Sequence, residues 1–355
     1  MIRRATILLL LCGLSAAALG QQRYYYKGLD YGSQALYNPI SLVLNGSYDI
    51  IQLDGHDRDV ARFPYGTASA NVLRNLADPF GPISRYGVRD FLENEIFPIH
   101  LTKAGAQWWP NYQLHLIGGG MTFRAMNEWY DYHGFPSPGI FSIGTMAAYH
   151  LLNEFVENGA YVGDNVDPIA DIYVFDIGGM LLFSSEGVSR WFSEELNLAD
   201  WSMQPSFDLR DFTLQNNGQY FAIKWKIPYQ ERLHLFYYCG MNGLTGLAYK
   251  LDNGRAISVG AGLRAKNIVI VNAATNQQTM DLVWNGGIFY DRDNSLLASL
   301  TLNNLTDNAA NLNVYPGFVR WGYFAPGVWL QARHDGALLF GLTTVWTPGV
   351  SVTSR

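Results

Sequence analysis

The sequence predicts a transmembrane antiparallel β-barrel of about 10–12 strands with an inserted block of three apolar helices, on three observations. From about Ser206 to Trp346 the residues alternate with a period of two between apolar and small or polar side chains. The charged fraction is 15% and the aromatic fraction 14%, where soluble domains carry about 25% charged residues. The first twenty residues, MIRRATILLLLCGLSAAALG, combine Arg3 and Arg4, an apolar run from Ile7 to Leu14 and a small-residue boundary at Ala18-Leu19-Gly20, the pattern of an export leader.

The expected order is a leader over 1–20, an N-terminal region over 21–97 and a helical insertion over 98–200. Barrel strands over 201–346 and a tail over 347–355 complete it. The N-terminal region reads as turns and short segments, with SLVLNGSYDII, Ser41 to Ile51, as a probable first strand. In the insertion, one helix runs from about Asn111 to Tyr132. A second starts at Ser137-Pro138 and stops at Gly159, and a third has Asp167 as N-cap with Pro168 in its first turn. Small-residue notches interrupt them at Gly118-Gly119-Gly120, at Gly144 and at Gly178-Gly179. Each glycine costs a helix about 1 kcal/mol, so the notches predict close backbone approach between helices.

In the strand region Leu296, Ala298, Leu300 and Leu302 alternate with Ser295, Leu297, Ser299 and Thr301. Leu338, Phe340, Leu342, Thr344 and Trp346 alternate with Ala337, Leu339, Gly341, Thr343 and Val345. Turn signals separate the strands, among them Asn242-Gly243, Asp252-Asn253-Gly254 and His334-Asp335-Gly336. Lys224, Lys226, His234 and Arg264 are candidates to line a lumen, although a one-residue slip in register would reverse that assignment.

The formal net charge is -6, from 24 basic and 30 acidic residues, and loss of the leader's two arginines would make it more negative. No basic stripe exists to track a phosphate backbone, so nucleic acid is excluded as a partner. Beyond the leader only Cys239 remains, which excludes a disulfide within the chain.

The chemistry-bearing residues sit mainly in the helices. Gly118 to Gly120 lack the lysine of a phosphate-cradling loop. Arg124 and Glu128, four apart, are expected to pair on one helix face. His150 and Glu154 share a face, with Asn153 and Glu157 beside them. A metal there would need a third ligand such as Asp167 or Asp171, and HLLNE lacks the second histidine of the zinc-protease motif. The expectation is a polar network tying helices together, with no catalytic residue, no metal and no cofactor apart from bound phospholipid. Were the protein an enzyme, His150, Glu154 and Asp171 would carry it. Ser142, Ser184 and Ser185 are further nucleophile candidates that spacing alone does not exclude.

The leader, the segments NYQLHLIGGGMTFRAMNEWY, TMAAYHLLNEFVENG and DPIADIYVFDIGGMLLF, and the strands after them resemble an uncharacterised bacterial outer-membrane domain family. Its layout is similar to that of porin-like proteins with inserted helices that form lipid-trapping ring oligomers. The resemblance covers about Pro98 to Trp346 and implies an outer-membrane location, a ring-shaped homo-oligomer and a structural role in enclosing membrane lipid. Gly118, Gly119, Gly120, Arg124, Glu128, Gly144, Asp167, Gly178 and Gly179 would then pack the lipid-facing helices. The alternatives are an outer-membrane enzyme modifying lipid or lipopolysaccharide, and a simple solute channel.

Overall fold

The computed structural model describes residues 22–98, 108–272 and 277–354; the expected leader lies outside them. Four helices frame the interior of the helical block. Helix α1 is Tyr65–Ala77. Helix α2 is a π-helical stretch, Trp109–Gly119, running directly into the α-helical Gly120–Tyr132. Helix α3 is Pro138–Asn158. Helix α4 joins Asp167–Ala170, a π-helical stretch Asp171–Asp176, and Ile177–Phe183.

Local sequence explains their ends. Pro138 and Pro168 occupy first-turn positions where a missing N–H costs nothing. Gly159, with φ of 55°, stops α3 in a conformation that a side chain would disfavour. Asp167 is not the expected cap: α4 begins with it, and its own N–H donates to Asn165 Oδ1. The stretch Ser41 to Ile51 is helical, not a strand. Asn38 Oδ1 accepts the Ser41 N–H and caps Pro39–Leu42, which passes into a π turn, Val43–Ser47, and a 3₁₀ turn, Asp49–Gln52.

The strands follow from Ala199 onward. Three short ones come first, β1 (Ala199–Asp200), β2 (Ser206–Asp208) and β3 (Leu214–Gln215). Then come β4 (Phe221–Lys226), β5 (Leu233–Cys239), β6 (Asn242–Lys250), β7 (Arg255–Asn272) and β8 (Gln277–Arg292). The last are β9 (Ser295–Leu305), β10 (Asn308–Val314), β11 (Gly327–Ala332), β12 (Leu338–Thr343) and β13 (Gly349–Thr353). They form one thirteen-stranded sheet, ordered β1-β4-β5-β6-β7-β8-β9-β10-β11-β12-β13-β2-β3.

Strands β4 to β13 pair with their sequence neighbours as an antiparallel meander. The end strands, β1 and β3, do not pair with each other, and β13 pairs with β2 in parallel. The expected closed, all-antiparallel transmembrane barrel is therefore corrected to an open mixed sheet. One stretch of chain touches both flanks of the meander. Trp201 and Met203 donate backbone N–H groups to Tyr220 and Gly218 on the β4 side, and the Gly349 N–H donates to Pro205 on the β13 side.

The register puts side chains on the two faces in an unusual division. Leu235, Leu247, Val259, Ile288, Leu300, Leu312, Leu330 and Phe340 are successive cross-strand partners and all lie exposed. The opposite face is buried and carries Lys224, Ser258, Asn285, Asp291, Ser299, Thr301, Asn303, Asn311 and Asn313. Lys224 donates to Asp291 at 2.6 Å, and Arg264 donates to Tyr220 and Gln52. Of the residues considered for a lumen, Lys224, His234 and Arg264 are thus enclosed within the fold, whereas Lys226 is exposed beside Glu195.

No single helix among the described residues is long and apolar enough to cross a membrane. The bent pair Asp167–Phe183 and Glu186–Glu195 meets that test jointly, with an 83° break. The helices pack on each other and on the N-terminal segment. Backbone N–H groups of Tyr24, Tyr25 and Tyr26 donate to the Glu128 carboxylate, which also accepts from Arg124 Nε at 2.9 Å. Tyr24, Tyr25, Tyr26, Met121, Phe123, Met126, Met146 and Phe183 share one hydrophobic cluster. The notches at Gly118-Gly119-Gly120 and Gly178-Gly179, and the Arg124–Glu128 pair, meet this chain's own residues and not lipid.

Candidate metal centre

The glycine notches determine how near the helices come. A Cβ at Gly120 would lie 2.6 Å from the Gly179 carbonyl oxygen, and one at Gly179 would lie 2.4 Å from the Leu116 carbonyl oxygen. Only glycine permits α2 and α4 to touch backbone to backbone there. At Gly119 a Cβ would meet the His150 ring at 3.3 Å, so α3 lays its imidazole against the same notch. Gly118 accommodates the Phe221 ring of the sheet, and Gly178 lies against Leu116. Gly144 differs: it is exposed, with nothing near the place of a Cβ.

The close approach gathers five buried side chains. The π-helical part of α2 supplies His115, α3 supplies His150 and Glu154, and the π-helical part of α4 supplies Asp171 and Asp176. His115 Nδ1 is 2.9 Å from Asp176 Oδ1, and its Nε2 is 3.5 Å from Asp171 Oδ2. His150 Nδ1 is 3.0 Å from Asp176 Oδ2. Two overlapping triads, His115 with His150 and Asp176, and His115 with Glu154 and Asp171, each bring their ligand atoms within 4.8 Å of one another.

The hydrogen-bond accounting of this cluster does not close. Both ring nitrogens of His150, Glu154 Oε1, Asp171 Oδ1 and Asp176 Oδ2 are buried and have no hydrogen-bond partner among the described residues. His150 Nδ1 and Asp176 Oδ2 are near enough to bond but are not oriented to do so. Buried polar atoms are nearly always satisfied, and an orphan costs about 1–3 kcal/mol. Ligands of one ion behave differently: at about 2.1 Å from a metal they stand roughly 3.0–3.4 Å apart with lone pairs aimed at a common point. Imidazole and carboxylate together suit zinc, iron or manganese.

The electrostatics agree. Burial opposes charge on His115, but Asp171 and Asp176 outweigh it and hold the imidazole at about 10. Burial pushes His150 down to about 4. It also drives the Glu154 and Asp171 carboxyls well above the usual range, and Glu157 up to about 7. No Lys or Arg pairs with Glu154, Asp171 or Asp176 among the described residues, and the cation beside the two aspartates is His115.

Of the residues that the sequence named for an enzyme, His150, Glu154 and Asp171 all lie in this cluster. Asp167 is not in either triad. His115 and Asp176 were missed as site residues. Arg124 and Glu128 form a separate buried pair, with Arg124 also reaching Glu186 at 2.9 Å. Ser184 donates to the Met180 carbonyl four residues back, the usual way that a helix absorbs a hydroxyl, and Ser142 donates across to the Phe123 carbonyl of α2. The expectations of no metal and of bound phospholipid as the one ligand are corrected by the histidine–carboxylate cluster.

Fold and site together define a chain of helices and an open mixed sheet with a candidate metal centre at the meeting of three helices. No protein family, curated protein or solved structure matches the chain. The resemblance to lipid-trapping porin-like proteins is withdrawn accordingly. With it go the ring oligomer, the enclosed lipid and the outer-membrane placement, which rested on that resemblance and on barrel closure.

Proposed function

We propose that the protein is a metal-dependent enzyme whose centre is built from His115, His150, Glu154, Asp171 and Asp176. The observation that carries this reading is the gathering of these residues' ligand atoms into two triads, each within 4.8 Å, where four of the residues carry buried polar atoms without a hydrogen-bond partner among the described residues. A bound divalent ion would supply Lewis-acid polarisation of a substrate oxygen and acidification of water. The chain's own residues do the rest. His150, held neutral by burial, offers a lone pair at any physiological pH. Glu157 stands outside both triads, receives an N–H from Asn153 Nδ2 at 3.1 Å, and is pushed up to about 7. A carboxyl so poised exchanges a proton at neutral pH, which suits a general base.

The test is metal analysis of the full-length chain after chelator treatment and re-addition of Zn²⁺, Mn²⁺ or Fe²⁺, followed by a hydrolytic screen of phosphate and carboxylate esters. Retention of metal by the wild type, its loss in His150→Ala, and a metal-loaded but inactive Glu157→Gln are expected. A wild-type chain that holds no metal overturns the proposal, and so does one that holds metal while Glu157→Gln leaves every detected activity unchanged.

A further inference from the structure

Resting on that reading, we infer that the centre holds two metal ions bridged by the imidazole of His115. The two triads share His115 and nothing else. The two ring nitrogens of His115 point at different carboxylates, Nδ1 at Asp176 and Nε2 at Asp171. On the Nδ1 side stands His150, 3.0 Å from the second Asp176 oxygen. Glu154 joins Asp171 in the other triad. An imidazole has one lone-pair position on each nitrogen, directed to opposite sides of the ring, so it can complete both triads only by ligating a different ion with each.

The unpartnered atoms divide the same way. His150 and Asp176 Oδ2 belong to one triad, and Glu154 Oε1 and Asp171 Oδ1 to the other. A single ion in either triad would leave the orphan atoms of the other triad unsatisfied. Two divalent ions held by three ionised carboxylates and a His115 imidazolate would form a neutral set, the state that burial favours. On loading, the carboxyl protons and both His115 ring protons pass to solvent.

The experiment is a titration of the chelator-treated full chain with Cu²⁺, read by elemental analysis and electron paramagnetic resonance. Two ions per chain are expected. An isolated Cu²⁺ signal should grow to one equivalent and then collapse as the second ion couples through the ring. Asp176→Asn and Asp171→Asn should each hold one ion, with an uncoupled signal. Where a variant fails to fold, the wild-type titration decides alone. One ion per chain overturns the bridge and leaves the single-ion centre standing; no ion overturns both. Two ions with additive, uncoupled signals place them outside the His115 bridge and refute this inference.

Discussion

Replacing Gly179 by alanine tests whether helix contact sets the geometry of the metal centre. The new methyl carbon would lie 2.4 Å from the Leu116 carbonyl oxygen, where ordinary contact begins at 3.4 Å. The obstacle is backbone, with no side-chain torsion to relieve it, so α2 and α4 must separate by about 1 Å. Overpacking of this kind costs about 1–3 kcal/mol, offset by the roughly 1 kcal/mol that alanine gains over glycine inside a helix. The net expectation is a loss of up to about 2 kcal/mol in the metal-free chain.

The same displacement spreads the ligands. Leu116 follows His115 directly, and Gly179 is on the helix that carries Asp171 and Asp176. Metal–ligand distances tolerate only about 0.2 Å, and changes just outside a ligand shell already weaken metal binding about 10- to 100-fold. Gly179→Ala should therefore bind metal at least about tenfold more weakly. Gly144→Ala is the control: with open space at its Cβ position, it should gain up to about 1 kcal/mol and leave affinity unchanged. Urea unfolding in chelator and competition with a chromophoric chelator read the two quantities. A Gly179→Ala chain as stable and as tightly metal-binding as Gly144→Ala would refute the argument.

Two further predictions rest on buried charge. Arg124→Ala leaves Glu128 enclosed without its ion partner and should cost about 3–5 kcal/mol in urea unfolding; a loss under 1 kcal/mol would mean that the three tyrosine N–H groups satisfy the carboxylate alone. Between pH 6.5 and 8 the metal-free chain should lose stability as pH rises. Asp49 is raised to about 8 and Glu157 to about 7, chiefly by burial, while His115 is held at about 10 against burial by Asp171 and Asp176. Each therefore binds its proton more tightly folded than unfolded. Their contribution is full below the unfolded pKa values and disappears as pH climbs through the folded ones. Thermal midpoints should fall across this window, less steeply in Asp49→Asn, and a rising midpoint would refute the assignment.

The sequence showed the helical spans because their punctuation is local: Pro138 and Pro168 in the first turns, Gly159 at a stop, although Ser137 makes no side-chain cap. It showed which strand residues share a face for the same reason, since alternation is a property of the backbone. Leu300 and Leu302 do lie opposite Ser299 and Thr301. Alternation does not report how a sheet's ends are arranged, and the inference from period two to a closed barrel failed on the order of β1, β2 and β3. At Ser41 to Ile51 the alternating apolar residues read as a strand, whereas the structure has Asn38 capping the Ser41 N–H and a helical stretch after it.

The metal centre was hidden by a different assumption, that every helix here has 3.6 residues per turn. On such a helix Asp171 and Asp176 point about 140° apart and cannot serve one site. The stretch between them is π-helical, and closure from residue i to i+5 turns the two carboxylates toward the same neighbour. His115 lies in a second π-helical stretch, ending at the glycine notch where α2 meets α4. A wider turn is less favourable than an α-turn and persists where packing or a ligand compensates it. The two stretches therefore tie the three consecutive glycines to the cluster itself. The notch brings the backbones together, and the widened turns aim His115, Asp171 and Asp176 into the space between them.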